Sequence, residues 1–303
     1  MSRFHAVRIP EFRGAAGPDA PAADAPRLAE WLQRNAPIAV LTGAGCSTTS
    51  GIPAYRDGTG RWQRRQPIFY QHFIDSDVVR RRYWARSFFG WTVMRDARPN
   101  PAHRSLQRLA ERGLVADLVT QNVDGLHQAA GHGDVVELHG GLSRVICRDC
   151  GAVSRRDELQ ERLAALNPDW APEVRGIRPD GDAELDEQAY PGFRVADCAD
   201  CGGVLKPDVV FFGESVPRAR LADCDARLRE AGALLVVGSS LVVWSGFRMV
   251  RDAHARGMPV AAINAGRTRG DALLEFKVAG ECGAALEAVE RELPMGKAQA
   301  SGS

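Results

Sequence analysis

The stretch Thr120-Gln121-Asn122-Val123-Asp124-Gly125-Leu126-His127, followed by Glu137-Leu138-His139-Gly140 and then by Cys147-x2-Cys150, decides how the chain is read. It sets polar and titratable residues at the end of one predicted strand, a histidine at the end of the next, and half of a metal site directly after. Packing alone asks for none of these. The run that leads into it, Leu118-Val119-Thr120, is one of several short apolar runs. The others are Ile38-Ala39-Val40-Leu41-Thr42, Val209-Val210-Phe211-Phe212, Ala233-Leu234-Leu235-Val236-Val237 and Val260-Ala261-Ala262-Ile263. Their unbroken apolar character, in place of alternation, predicts parallel strands covered on both faces. Helical patterns at about 217 to 230 and 245 to 256 supply right-handed crossovers between the later runs. The expected fold is α/β and doubly wound, with Gly43, Gln121, Gly238 and Asn264 at the carboxyl ends where open parallel sheets place their ligands.

Composition agrees with one large core plus an appended module: 303 residues, 45% hydrophobic and 25% charged. Net charge is +1, from 39 basic and 38 acidic side chains, so no strong field favours nucleic acid or an anionic membrane. No run approaches the roughly 20 apolar residues of a membrane helix. The opening MSRFHAVRIPEF lacks the apolar segment of a secretory signal, and its arginines also permit a transit-peptide reading. The expected location is the cytoplasm of a bacterium, with the mitochondrial matrix as the alternative. A monomer that binds neither nucleic acid nor membrane is expected.

The predicted organisation is a Rossmann-like parallel sheet with a smaller zinc-binding plus helical domain. Residues 27–53, 99–141 and 207–293 form the first, and residues 54–98 and 142–206 the second. Residues 1–26 and 294–303 read as tails, the stretch from 14 to 26 being rich in Gly, Ala and Pro. Asp24 before Pro26 predicts a capped helix running to about Asn35.

Thr42-Gly43-Ala44-Gly45-Cys46-Ser47 follows a buried strand, where glycines permit a tight turn and backbone amides can hold a pyrophosphate. Thr48 stands where the strict motif has its third glycine, so a plain strand-to-helix turn is the alternative. Cys147, Cys150, Cys198 and Cys201 supply four thiolates, enough for a closed tetrahedral zinc site of structural character. The long interval between the pairs holds Leu166-Asn167-Pro168-Asp169-Trp170 and Pro179-Asp180-Gly181-Asp182, readable as a solvated loop or as a lid over a cleft. His139, with Asn122 and Asp124 at another strand end, can act as general base on a ribose hydroxyl.

These residues carry a resemblance. GAGCSTTSGIPAYRD, TQNVDGLH, ELHG, the paired C-x2-C motifs, GGVLKPDVVFFGE, VGSSL and INAG follow the order seen in sirtuins, the NAD-dependent protein-lysine deacylases. The likeness covers about 28 to 290. RRRYWARSFFGW, LNPDW, PDGD and the long interval between cysteine pairs look most like class II sirtuins, the group of the mitochondrial fourth human sirtuin and many bacterial relatives.

The resemblance implies that NAD is a co-substrate and that one zinc ion is structural. Gly43, Ala44, Gly45 and Thr48 would line the NAD phosphates and adjoining ribose, with Tyr55 and Arg56 in the cofactor loop. Gln121 and Asn122 would meet the nicotinamide ribose, and Asp124 the nicotinamide carboxamide. Gly238, Ser239 and Ser240 would hold the phosphate and adenosine side, Asn264 the adenine ribose and Cys282 the adenine pocket. Val210, Phe211, Phe212, Gly213 and Glu214 would pair with an acylated protein-lysine substrate as an added strand. In the family reaction the acyl oxygen displaces nicotinamide, and His139 then activates a ribose hydroxyl that takes the acyl group. Nicotinamide, O-acyl-ADP-ribose and free lysine result. Tyr83-Trp84-Ala85-Arg86 has the tyrosine-to-arginine spacing of sirtuins that remove acidic acyl chains, and Arg86 could pair bidentately with a carboxylate. Acetyl, acidic, long-chain and lipoyl groups all stay open as substrates. Protein mono-ADP-ribosyl transfer and a non-catalytic, zinc-stabilised NAD sensor are the alternatives.

Overall fold

The computed structural model describes residues 18–52, 68–177 and 182–294. The chain opens with β1 (Ala22–Ala23), α1 (Ala25–Asn35) and β2 (Ile38–Thr42). There follow α2 (Tyr70–Asp75), α3 (Asp77–Asp96), α4 (Pro101–Glu111), β3 (Val115–Thr120), α5 (Leu126–Ala129) and β4 (Val135–Glu137). The middle of the chain forms β5 (Gly140–Cys147), β6 (Val153–Arg155), α6 (Arg156–Leu166), β7 (Val174–Ile177), β8 (Ala183–Leu185) and β9 (Leu205–Val209). Last come α7 (Arg218–Glu230), β10 (Leu234–Val237), α8 (Trp244–Ala255), β11 (Val260–Ile263), β12 (Phe276–Val278) and α9 (Cys282–Glu292).

Seven strands make one parallel sheet in the order β1-β12-β11-β10-β2-β3-β4. From β2 the chain steps outward through β3 and β4, and from β10 it steps the other way through β11 and β12. Thr42 pairs with Thr120 on one side and with Val237 on the other. The reversal between β2 and β10 opens a crevice at the strand carboxyl ends. Alternate residues serve opposite faces. Val40, Leu235 and Val237 pack with Leu28 of α1, Leu106 of α4 and Leu286 of α9, whereas Ala39, Leu41, Leu234 and Val236 pack with Leu228 of α7 and Met249 of α8. Every residue of β2, β10 and β11 is buried, which is why these strands read as continuous apolar runs. The Asp24 side chain accepts from Arg27 N at 3.1 Å, capping α1 as expected.

Two expectations need correction. The Gly/Ala/Pro-rich lead-in is structured at its described end: Ala22 and Ala23 pair with β12, and Lys277 N donates to Pro21 O at 2.8 Å. Two-residue edge pairing leaves no periodic signal. The run from Val209 to Phe212 is not a strand of the parallel sheet. Only Val209 is in a strand, and β9 pairs antiparallel with β5 in a three-stranded sheet, β6-β5-β9. Its apolar character comes from packing against the insertions, with Val209 beside Trp91 and Leu142, and Phe211 against Phe73 and Tyr83.

That smaller sheet, α2, α3 and α6 enclose a second core built on Phe73, Trp84, Leu159, Leu163 and Phe193. The described part of the excursion between the cysteine pairs packs on α3 at Trp170, and Pro179, Asp180 and Gly181 lie outside the described residues. Trp170 stacks on Phe89 at 5.5 Å and donates from Nε1 to Ala189 O at 2.9 Å. No helix among the described residues is long and apolar enough to cross a membrane.

Candidate active site

A cleft of about 830 Å³ lies across the crevice, between the large sheet and the smaller part. Its floor depends on glycine. Gly238 has φ +65°, and a Cβ there would lie 2.4 Å from Cys46 N and 2.7 Å from Gly45 C. Gly45 N donates to Gly238 O at 2.8 Å, so the loops after β2 and β10 touch backbone to backbone. Gly43, Ala44, Gly45 and Thr48 line one side of the cleft, and Gly238, Ser239 and Ser240 the other. Asn264 and Cys282 complete that end. Burial and the Glu281 charge push the Cys282 thiol up to about 12, and burial pushes Cys46 well above the usual thiol range. Both are neutral packing thiols, not nucleophiles. Tyr55 and Arg56 lie outside the described residues.

The polar loop after β3 is held from several sides. Gln121 Nε2 donates to Thr42 O at 3.1 Å and to Ser239 Oγ at 2.8 Å. Asn122 Nδ2 donates to Gly43 O at 3.1 Å and Ser47 Oγ at 3.0 Å, and Ser47 Oγ donates to Asp124 Oδ2 at 2.7 Å. Burial raises the Asp124 carboxyl above its ordinary value, against the hydrogen bonds from Leu126 N and Ser47. Ser47 thus joins Asn122 to Asp124. The sequence reading did not single it out, although it stands two residues after Gly45 in the same loop.

His139 is fixed from both ring nitrogens. Nδ1 lies 3.0 Å from Gln121 O and Nε2 lies 2.7 Å from Ser245 Oγ. A carbonyl only accepts, so Nδ1 carries the proton and Nε2 presents the lone pair. Burial holds the imidazole down to about 4, the Gln121 carbonyl opposing and the Arg220 charge assisting. His103 is likewise lowered to about 4 by burial and by Arg104, and burial lowers His127 and His132 as well.

These groups bind fewer protons folded than unfolded, so their stability is fully present above about pH 6.5 and is lost as the pH falls towards 4. For His103 and His139 the loss approaches about 3 kcal/mol each at pH 4. Thermal unfolding followed from pH 7.5 to 4.5 should therefore show a falling midpoint. At pH 5, unfolding should take up roughly one proton each at His103 and His139. A midpoint flat across that range would contradict the neutral-histidine assignment.

On the opposite wall the stretch Val210 to Glu214 lines the cleft. Val210 N donates to His139 O at 2.8 Å, and Phe211 N donates to Glu214 Oε2 at 2.9 Å. Tyr70 N donates to Phe212 O at 2.9 Å. Buried Lys206 lies 2.9 Å from Glu214 Oε2, with Nζ 4.5 Å above the Phe211 ring. Tyr83 and Arg86 of α3 also line the cleft, as their spacing suggests. Arg86 is ion-paired there with Asp182, their side chains 4% and 3% exposed. Asp182 belongs to the excursion between the cysteine pairs, and nothing in its local sequence names a partner on α3.

The four paired cysteines converge although no disulfide joins them. Their sulfurs all lie within 4.8 Å of one another, with Cys147 to Cys201 at 3.5 Å and Cys150 to Cys198 at 3.8 Å. Tetrahedral zinc with sulfur at about 2.3 Å requires sulfurs about 3.8 Å apart. Each pair sits on a matching turn: Cys147 N bonds to Ala152 O at 2.8 Å, and Cys198 N to Gly203 O at 2.9 Å. With four thiolates and no open position, the donors fit a structural zinc.

A crevice at the reversal of a doubly wound sheet, lined by a glycine floor and a neutral histidine, defines a nucleotide-binding α/β enzyme. Residues 43–245 match the Sir2 family, and the chain belongs to it. A protein of Bradyrhizobium diazoefficiens named NAD-dependent protein deacetylase 2 is 51% identical over 259 residues, 86% of this chain and 95% of that one. The NAD-dependent protein deacetylase of Bordetella bronchiseptica is 51% identical over 271 residues, covering 89% and 99%. Among solved structures, a Sir2 bound to a deacetylated peptide and 3′-O-acetyl-ADP-ribose superposes with a TM-score of 0.72. It is 26% identical and covers 89% of this chain and 98% of its own.

Proposed function

We propose that the protein is an NAD-dependent protein-lysine deacylase. The carrying observation is the placement of neutral His139 in the cleft lining, its Nε2 on Ser245 Oγ, with the Asn122–Ser47–Asp124 network in the same cleft. NAD, when bound, supplies the ADP-ribosyl group that takes the acyl chain. Gly43 to Gly45 and Gly238 to Ser240 would hold its phosphates, Gln121 and Asn122 would orient the ribose, and Asp124 would meet the carboxamide. His139 Nε2 would be the base on which the proton of the accepting hydroxyl ends. Val210 to Glu214 receive the peptide by strand addition on backbone groups not already used by His139, Glu214 and Tyr70. The aromatic α3 sequence and the long excursion between cysteine pairs support a place among class II sirtuins. A protein of balanced charge, acting in the cytoplasm on acylated proteins, fits this reading.

The acyl group is best read from Arg86. Asp182 already supplies it with a carboxylate, so the end of the cleft is charge-compensated and suits acetyl and other uncharged acyl chains. A panel of acetyl, lipoyl, long-chain, succinyl and glutaryl lysine peptides with NAD tests both parts. Free lysine peptide and O-acyl-ADP-ribose are expected from the uncharged substrates. Protein-bound ADP-ribose as the sole product would favour the transferase reading. In Asp182→Asn the ratio of succinyl to acetyl activity should rise about tenfold, the worth of one charge-assisted contact. An unchanged ratio would remove Arg86 from acyl recognition.

A further inference from the structure

The lone pair that makes His139 a base is already engaged. With the proton on Nδ1 committed to Gln121 O, the ring has one in-plane lone pair, at Nε2, and Ser245 Oγ lies 2.7 Å from it. Ser245 must therefore donate. Carbonyl, imidazole and hydroxyl form one chain of hydrogen bonds, the orienter, base and hydroxyl order by which proteins activate an oxygen.

The hydroxyl is held there by construction. Ser245 is the second residue of α8, is half-buried and lines the cleft. The residue after it, Gly246, lets the helix start press on Gln121, since a Cβ there would lie 2.3 Å from Gln121 Oε1. Gln121 is itself tied to Thr42 O and Ser239 Oγ, and its carbonyl is the one that orients His139. One residue thus sets both partners of the imidazole. Arg220 of α7 is the charged group acting on the ring, and it is paired with Asp208 of β9 at 2.8 Å.

We infer that the accepting hydroxyl of the substrate reaches His139 through Ser245, whose Oγ takes that hydroxyl's proton as its own passes to Nε2. The substrate O–H bond breaks and an O–H bond forms on Ser245. The former Ser245 O–H bond breaks and an N–H bond forms on His139. Serine ends neutral and the imidazole ends as imidazolium. The electron pair left on the substrate oxygen forms the bond to the acyl carbon, while the π pair between that carbon and the lysine nitrogen moves onto the nitrogen. The inference rests on the reading of His139 as the base. It makes Ser245 a catalytic residue, because its oxygen meets the reacting hydroxyl.

The test uses the full zinc-loaded chain as Ser245→Ala, Ser245→Thr and His139→Ala, with acetyl-lysine peptide and NAD. In Ser245→Ala, acyl transfer to ADP-ribose should fall about 10²-fold, the lower range for loss of a positioned proton carrier. Exchange of labelled nicotinamide into NAD, which precedes the proton step, should stay within about twofold of wild type. Ser245→Thr keeps a hydroxyl and should recover most of the transfer. Without NAD, the His139 Nε2 nitrogen resonance should move in Ser245→Ala towards that of an unbonded imidazole, while the Nδ1 proton persists. Full transfer activity in Ser245→Ala, or equal loss of exchange and transfer, overturns the relay. Wild-type transfer by His139→Ala would instead overturn the base assignment beneath it.

Discussion

In a His139→Ala protein, kcat for acyl transfer is expected to fall roughly 10²–10⁴-fold, the usual contribution of a positioned general base. The reason is local. His139 immediately precedes β5, with Nδ1 bonded to Gln121 O, and no other described imidazole lines the cleft. His103 and His127 are buried behind the cofactor loops, where Ser47 and Thr42 meet them. They cannot substitute. The methyl of alanine leaves Gln121 held by Thr42 and Ser239, so binding of NAD should change little. Steady-state kinetics with acetyl-lysine peptide, alongside calorimetric NAD binding, would separate the two effects. A proportional loss of NAD affinity would mean that His139 shapes the cofactor site rather than moving a proton.

Replacing Cys147 or Cys198 by serine is expected to cost the bound metal and, with it, the smaller core. Structural zinc sites of this type contribute on the order of 10–16 kcal/mol of binding free energy, more than a small core can replace. Cys147 and Cys198 belong to the same packed cluster as Phe73, Trp84, Leu159 and Phe193. The two clusters flanking the parallel sheet contain neither cysteine. Metal analysis should give one zinc per wild-type chain and less than one in the variants. Near-ultraviolet dichroism should lose the signal of the tryptophans of α3, while far-ultraviolet helix and strand content falls only in part. An active, fully folded wild-type protein without zinc would refute the structural role.

Much of the site was legible because parallel strands buried on both faces leave unbroken apolar runs, and their polar successors then mark the carboxyl ends. Gly43, Gln121, Gly238 and Asn264 were found this way and do line one cleft. The double C-x2-C was legible because close thiolate pairs have few other uses in such a chain. The strands at one end of the sheet were not, since β1 and β12 are two and three residues long. The run at Val209 to Phe212 was misread because apolarity records burial, not strand direction. Ser245 and Asp182 escaped for another reason. Each acts on a partner about a hundred positions away, His139 or Arg86, and pairing at that range leaves no periodicity or spacing.

Lys206 and Glu214 have a consequence for manufacture and storage of the protein. Lys206 is one of three lysines in the whole chain, and its ammonium is buried against Glu214 and the Phe211 ring. Reagents that label or immobilise proteins through exposed amines would find little to attack on the cleft wall from Val210 to Glu214. A chain whose own product is an unmasked lysine carries almost none of that side chain itself, and the one beside its cleft is shielded. Coupling chemistry directed at amines should therefore leave the wall from Val210 to Glu214 intact.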